Sequence, residues 1–131
     1  MHHPAVKDAV DELNSNAELV TCAPLMLESG FSARSYDDHV RVVDDVFGNW
    51  RQLEGFPEMG SLALELQRRL WRAGSGRAVG AFDLLVAAHA IHYSDDRTVI
   101  VVVHYDSDYE TLSRVVPELE TSWIVARGTV P

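Results

Sequence analysis

The chain has 131 residues, of which 20 are acidic and 11 basic, giving a formal net charge of −9. That length fits one domain, residues 1–131, with a sizeable core, and 47% hydrophobic with 24% charged residues argues against disorder. The acidic balance argues against a passive nucleic-acid binder, which carries a basic face. Cys22, the one cysteine, rules out an internal disulfide and reads as a buried structural thiol. No apolar run approaches the roughly 20 residues of a membrane helix, and the start Met1-His2-His3-Pro4 has no signal-peptide pattern, so a cytoplasmic location without a membrane partner is expected.

Ala5 to Leu13 has helical spacing, with Val6, Val10 and Leu13 on one face and Asp8, Asp11 and Glu12 on the other. Asn14-Ser15-Asn16 breaks it, and Glu18 to Cys22 reads as a short strand rich in β-branched residues. Pro24 suits the first turn of a following helix, Leu25 to about Arg34. Ser35 reads as the N-cap of the next helix, with Asp38 in the capping-box position, and Val40, Val43, Val46 and Phe47 carry its periodicity to about Trp50 or Leu53.

Gly55-Phe56-Pro57 is a breaker, and Ser61 to Ala73 is a helix offering Leu62, Leu66, Leu70 and Trp71 to the core. Gly74-Ser75-Gly76 reads as a flexible loop at the edge of a site. Asp83 opens a helix to about Tyr93, and a turn over Ser94 to Arg97 leads into the strand Thr98 to Val103, apolar on both faces as a covered parallel strand would be. A short helical turn at Leu112 to Val116 and a strand at Thr121 to Val125 complete the order. That order predicts an α/β, three-layer domain with a parallel sheet flanked by helices.

Asp83 is the one carboxylate in the apolar stretch Ala81 to Ile91. A charge at the edge of a core costs several kcal/mol unless it is compensated. Glu28 closes the run Cys22-Ala-Pro-Leu-Met-Leu, while Asp106 and Asp108 follow the run Thr98 to Tyr105. Apolar segments that each end in a carboxylate can assemble the oxygen-ligand site a hard cation such as Mg²⁺ needs, at the strand ends where such sheets place their sites. A helix N-cap is the competing reading of Asp83 taken alone. The negative charge is compatible with a metal-dependent nuclease, because bound cations reverse the local field.

Four stretches carry a family resemblance: Cys22-Ala-Pro-Leu-Met-Leu-Glu28-Ser-Gly30-Phe-Ser-Ala-Arg34-Ser35, Asp83-Leu-Leu-Val-Ala-Ala88, His104-Tyr-Asp106-Ser-Asp108-Tyr-Glu110 and Trp123-Ile-Val-Ala-Arg-Gly-Thr129. In this order the chain resembles PIN-domain ribonucleases of the VapC toxin type. The resemblance implies a PIN-like fold and Mg²⁺- or Mn²⁺-dependent endonucleolytic cleavage of RNA. It also implies neutralisation by a cognate VapB-type antitoxin, and a homodimer. It makes Glu28 the second acid of the metal site, Asp83 the third and Asp106 the fourth, with Asp108 a further ligand or supporting acid. Asp83 and Asp106 are expected as direct ligands and Glu28 as one acting through water.

The front of the chain departs from that pattern. Family members begin with a strand of the type Leu-Leu-Asp-x-Ser that supplies the first acid, and none precedes His2-His3-Pro4. The expectation is therefore a family member lacking that first strand, inactive alone for want of one ligand.

Other residues have plainer readings beside functional ones. Arg34 and Arg77 are candidates for phosphate contact against simple solvation. His104 reads as a hydrogen-bonded strand-end histidine rather than a base, Trp123 and Tyr109 as core rather than stacking residues, and His2-His3 as neither a secure metal pair nor a tag. Helices between Ser35 and Ala73, with Val40, Val43, Phe47, Trp50, Leu62, Leu66, Leu70 and Trp71, are expected to pack against a second copy. Two rivals stand beside the nuclease. One is a catalytically inactive PIN-like module that only engages an antitoxin or dimer partner. The other is a receiver-type signalling domain, whose late-strand lysine has no counterpart, since Lys7 is the chain's one lysine.

Overall fold

The computed structural model describes residues 18–96, 98–104 and 107–123, leaving aside the side chains of residues 103, 104, 107, 122 and 123. The helix expected over Ala5 to Leu13, the missing-strand question, His2-His3, Lys7 and Asp106 lie outside the described residues, as do the side chains of His104 and Trp123.

Strand β1, Val20–Cys22, pairs in parallel with β2, Arg51–Leu53, in the register Val20 to Arg51 and Cys22 to Leu53. Parallel neighbours need a crossover of a dozen residues or more, and helices α1, Ala23–Phe31, and α2, Tyr36–Val40, supply it. Pro24 stands in the first turn of α1, where its missing N–H costs nothing. Ser35 caps α2 as expected, its hydroxyl accepting from the Asp38 N–H at 3.1 Å. From Arg41 to Val46 the helix widens into π-type turns and stops at Phe47. Gly30 lets α1 approach this segment closely: a Cβ there would lie 2.7 Å from His39 Nε2.

The expected helix toward Leu53 is corrected here, because Arg51–Leu53 is a strand. Its apolar period reads on from Val46, but three residues have too little intrinsic preference to resist the free edge of β1.

The connection after β2 is pinned onto the helix α4, Ala81–Tyr93. Phe56 stacks on His92 at 3.7 Å between ring centres, and the Tyr93 hydroxyl donates to the Glu54 carbonyl at 2.7 Å. Helix α3, Met59–Arg72, then packs against α4. Ala63, Leu66 and Leu70 face inward at helical spacing and meet Leu84, Ala87 and Ala88. The two alanines are fully buried, and their small side chains let the helices come close. His89 is also buried in α4, and its Nδ1 lies 2.8 Å from the Leu85 carbonyl, a bond that satisfies an otherwise costly imidazole.

The second parallel pair joins β3, Val101–His104, to β4, Glu120–Trp123, through helix α5, Ser107–Val115. Helix α5 begins five residues before the short turn expected at Leu112, and Tyr109 and Leu112 enter the same core as α3 and α4. The α/β architecture with short parallel strands and covering helices is that expected of a PIN-like domain; among the described residues its strands form two separate parallel pairs. No helix among the described residues is long and apolar enough to cross a membrane.

Candidate metal centre

Asp83 is the third residue of α4, and Gly80 occupies the N-cap with extended backbone and no side-chain bond. The N-cap reading of Asp83 is therefore replaced by a carboxylate within the first helical turn, where the helix dipole favours negative charge. The side chain is partly buried. Its Oδ1 accepts a hydrogen bond of 2.9 Å from the hydroxyl of Tyr109, the third residue of α5. The N-terminal turns of α4 and α5 thus meet at this pair.

Glu28 is exposed on α1, which packs on α4. It comes close enough to Tyr109 for its charge to act on the phenol. Burial pushes the Tyr109 pKa well above the ordinary value of 10.0, and the charge of Asp83, the hydrogen bond to it, and then the charge of Glu28 push it further in the same direction. Tyr109 stays protonated and acts as a donor. Cys22, at the junction of β1 and α1, is 3% exposed. Burial raises its pKa, partly offset by a backbone hydrogen bond at Leu25, so it is a buried thiol as expected.

Asp108 precedes Tyr109 in α5 and is half-buried. The structure therefore brings Glu28 and Asp83 to a common neighbour and sets Asp108 beside that neighbour in the chain, while Asp106 falls outside the described residues. Among the described residues no group of three His, Cys, Asp or Glu side chains is placed to hold a metal ion. Glu28 and Asp83 offer only oxygen donors, which suits a hard divalent cation. Accepting one bond from Tyr109 does not prevent Asp83 from ligating, since a carboxylate has about four acceptor sites.

Arg34 is exposed, and its backbone N–H donates to Asp38 Oδ2 at 3.1 Å. Arg77 is exposed in the loop before α4, over residues 73–80. Sequence reasoning assigned Tyr109 to the core, which its 8% exposure bears out, but missed its bond to Asp83. Nothing in a Tyr at that position announces a partner 26 residues away. Trp71, expected in the core, is 58% exposed, whereas Leu66 and Leu70 are wholly enclosed and unavailable to a second copy.

No family model matches the chain. It is 33% identical over 129 residues to Ribonuclease VapC21 of Mycobacterium tuberculosis, in both the H37Rv and CDC 1551 strains, covering 98% of this chain and 88% of that protein. It is 30% identical over 131 residues to Ribonuclease VapC51 of strain H37Rv, covering 99% of this chain and 89% of that protein.

Proposed function

We infer the following from the premise that this chain belongs to the VapC family of ribonucleases, a membership carried by 30–33% identity over nearly its whole length. The protein is the toxin endoribonuclease of a VapBC toxin–antitoxin system, acts in the cytoplasm, and hydrolyses RNA phosphodiester bonds with a divalent metal, Mg²⁺ or Mn²⁺. The observation that carries the metal-dependent reading is the approach of Asp83 and Glu28 to one protonated phenol.

Asp83 and Asp106 would hold the cation, with Glu28 reaching it through water and Asp108 supporting them. When bound, such a cation supplies charge that activates a water and offsets charge building on the phosphate. Tyr109 fixes the carboxylate of Asp83 by binding Oδ1, so that the group meets its ligand in one orientation. Because the chain carries a net charge of −9, the carboxylate cluster would repel RNA without the cation. Arg77 and Arg34 contact phosphate.

A cognate VapB-type antitoxin and a second copy of the chain cover the exposed apolar residues of α1 and α2. Among these Leu27 is 62%, Phe31 89% and Tyr36 81% exposed. Light scattering at micromolar concentration tests the homodimer.

The test of the activity is RNA cleavage by the purified protein in Mg²⁺, in Mn²⁺ and in excess chelator, alongside Asp83→Asn. Cleavage that needs the metal and disappears in the variant supports the reading. Cleavage that persists in chelator overturns the metal dependence. Antitoxin binding without any cleavage, together with a metal affinity that Asp83→Asn leaves unchanged, favours the inactive binding module over a nuclease that is short of one ligand.

A further inference from the structure

We propose that Trp71, Gly76, Arg72 and Arg77 form a nucleotide subsite in which an unpaired base of the substrate stacks on the Trp71 indole and the adjoining phosphates meet the two arginines. The inference rests on the ribonuclease reading and adds to it where the RNA strand lies. Trp71 follows the wholly buried Leu70 on α3 yet is 58% exposed, a large aromatic surface left to solvent at the end of the helix. Gly76 explains its position. A Cβ on Gly76 would fall inside the indole ring, so the loop backbone lies directly against Trp71 and holds it in place. Gly74, at φ 82°, supplies the left-handed turn that folds the loop back onto the helix end. The result is an aromatic ring braced by backbone and bordering a cleft of about 440 Å³ lined by Trp71, Gly74, Ser75, Gly76, Arg77 and Ala78.

Charge supports the same occupant. In a chain of net charge −9, Arg77 lines this cleft, and Arg69, Arg72 and Arg114 line a second one of about 400 Å³. Arg68 and Arg69 pair with Glu65, Arg69 also with Glu118, and Arg114 with Glu110. Arg72 and Arg77 make no ion pair among the described residues. Arg72 lines the second cleft rather than the first and follows Trp71 directly in the chain. An aromatic platform beside cations is how single-stranded nucleic acid is held without sequence readout, because every base has a π-face and every nucleotide a phosphate. The loop runs directly into α4, so Asp83 lies seven positions after Gly76, a reach of at most about 25 Å. A strand lying on Trp71 can therefore extend to the carboxylates.

The experiment measures binding of a short fluorescein-labelled single-stranded oligoribonucleotide with nuclease-resistant phosphorothioate linkages by anisotropy, in Mg²⁺, for the full protein and its variants. Trp71→Ala weakens binding about tenfold, Trp71→Phe less, and Gly76→Ala weakens it by displacing the indole. Arg77→Ala weakens binding and lowers the salt slope by about one. Thermal melting of each variant establishes that it is folded, and Arg77→Ala, at an exposed position, is the check should Gly76→Ala fail to fold. Unchanged RNA affinity in both Trp71→Ala and Arg77→Ala overturns the subsite. So does a loss of dimer or antitoxin binding in Trp71→Ala with RNA affinity intact, which would assign this face to a protein. If the wild type cleaves RNA and Asp83→Asn does not, while Trp71→Ala binds normally, the subsite alone fails. If the wild type neither binds nor cleaves RNA, the ribonuclease reading fails with it.

Discussion

The Tyr109 hydroxyl donates to Asp83 Oδ1 at 2.9 Å, tying the first turn of one helix to the first turn of another, 26 residues apart. Tyr109→Phe keeps the ring and removes this bond. Hydrogen bonds to charged groups contribute about 1.5–3 kcal/mol, and partial exposure of Asp83 puts the expected loss at the lower end, measurable by urea denaturation. The same variant has a pH signature. Because the folded phenol has its pKa raised above 10.0, the folded state holds this proton more tightly than the unfolded state. The contribution is fully present below the unfolded pKa and declines as pH climbs above it toward the folded pKa. Wild-type stability should therefore fall above about pH 10, with a shallower fall in Tyr109→Phe; identical alkaline slopes would contradict the buried, Asp83-bound phenol.

Leu64 and Leu66 stand on the same helix with opposite fates, the first 61% exposed and the second fully enclosed. Leu66→Ala should cost about 3–5 kcal/mol, the range for an emptied leucine site in a packed core. Leu64→Ala should stay within about 0.5 kcal/mol. Chemical denaturation of the two variants checks the orientation of α3, and equal losses would show it to be turned otherwise.

Thr21 is 3% exposed in β1, and its Oγ1 has no hydrogen-bond partner among the described residues. A buried hydroxyl without a partner costs about 1–3 kcal/mol. Thr21→Val replaces it with a methyl of the same shape and should raise the melting temperature, whereas a lower one would reveal a bond to the hydroxyl.

How much of this was legible in the sequence follows from the range of each interaction. The capped start at Ser35, Pro24 in the first turn of α1 and the helix ending at Tyr93 rest on local signals, and the structure bears them out. Arg51–Leu53 was misread because its strand state comes from pairing with β1, some 30 residues earlier. Trp71 was misplaced because apolar character predicts burial only on average, and the loop glycine that braces it acts through space. Asp83 stood out as a lone charge in an apolar run, yet its partner Tyr109 and the approach of Glu28 to the same phenol depend on how three helices converge.

Divalent metal affinity tests the central claim most directly, measured by electron paramagnetic resonance as Mn²⁺ is titrated into the full protein and into Asp83→Asn. Removing one charged oxygen ligand from a carboxylate site should weaken binding at least about tenfold, the range seen even when a supporting partner of a metal ligand is lost, and Glu28→Gln should weaken it less. Equal Mn²⁺ affinity in the wild type and Asp83→Asn, with both folded, would contradict a metal centre at Asp83.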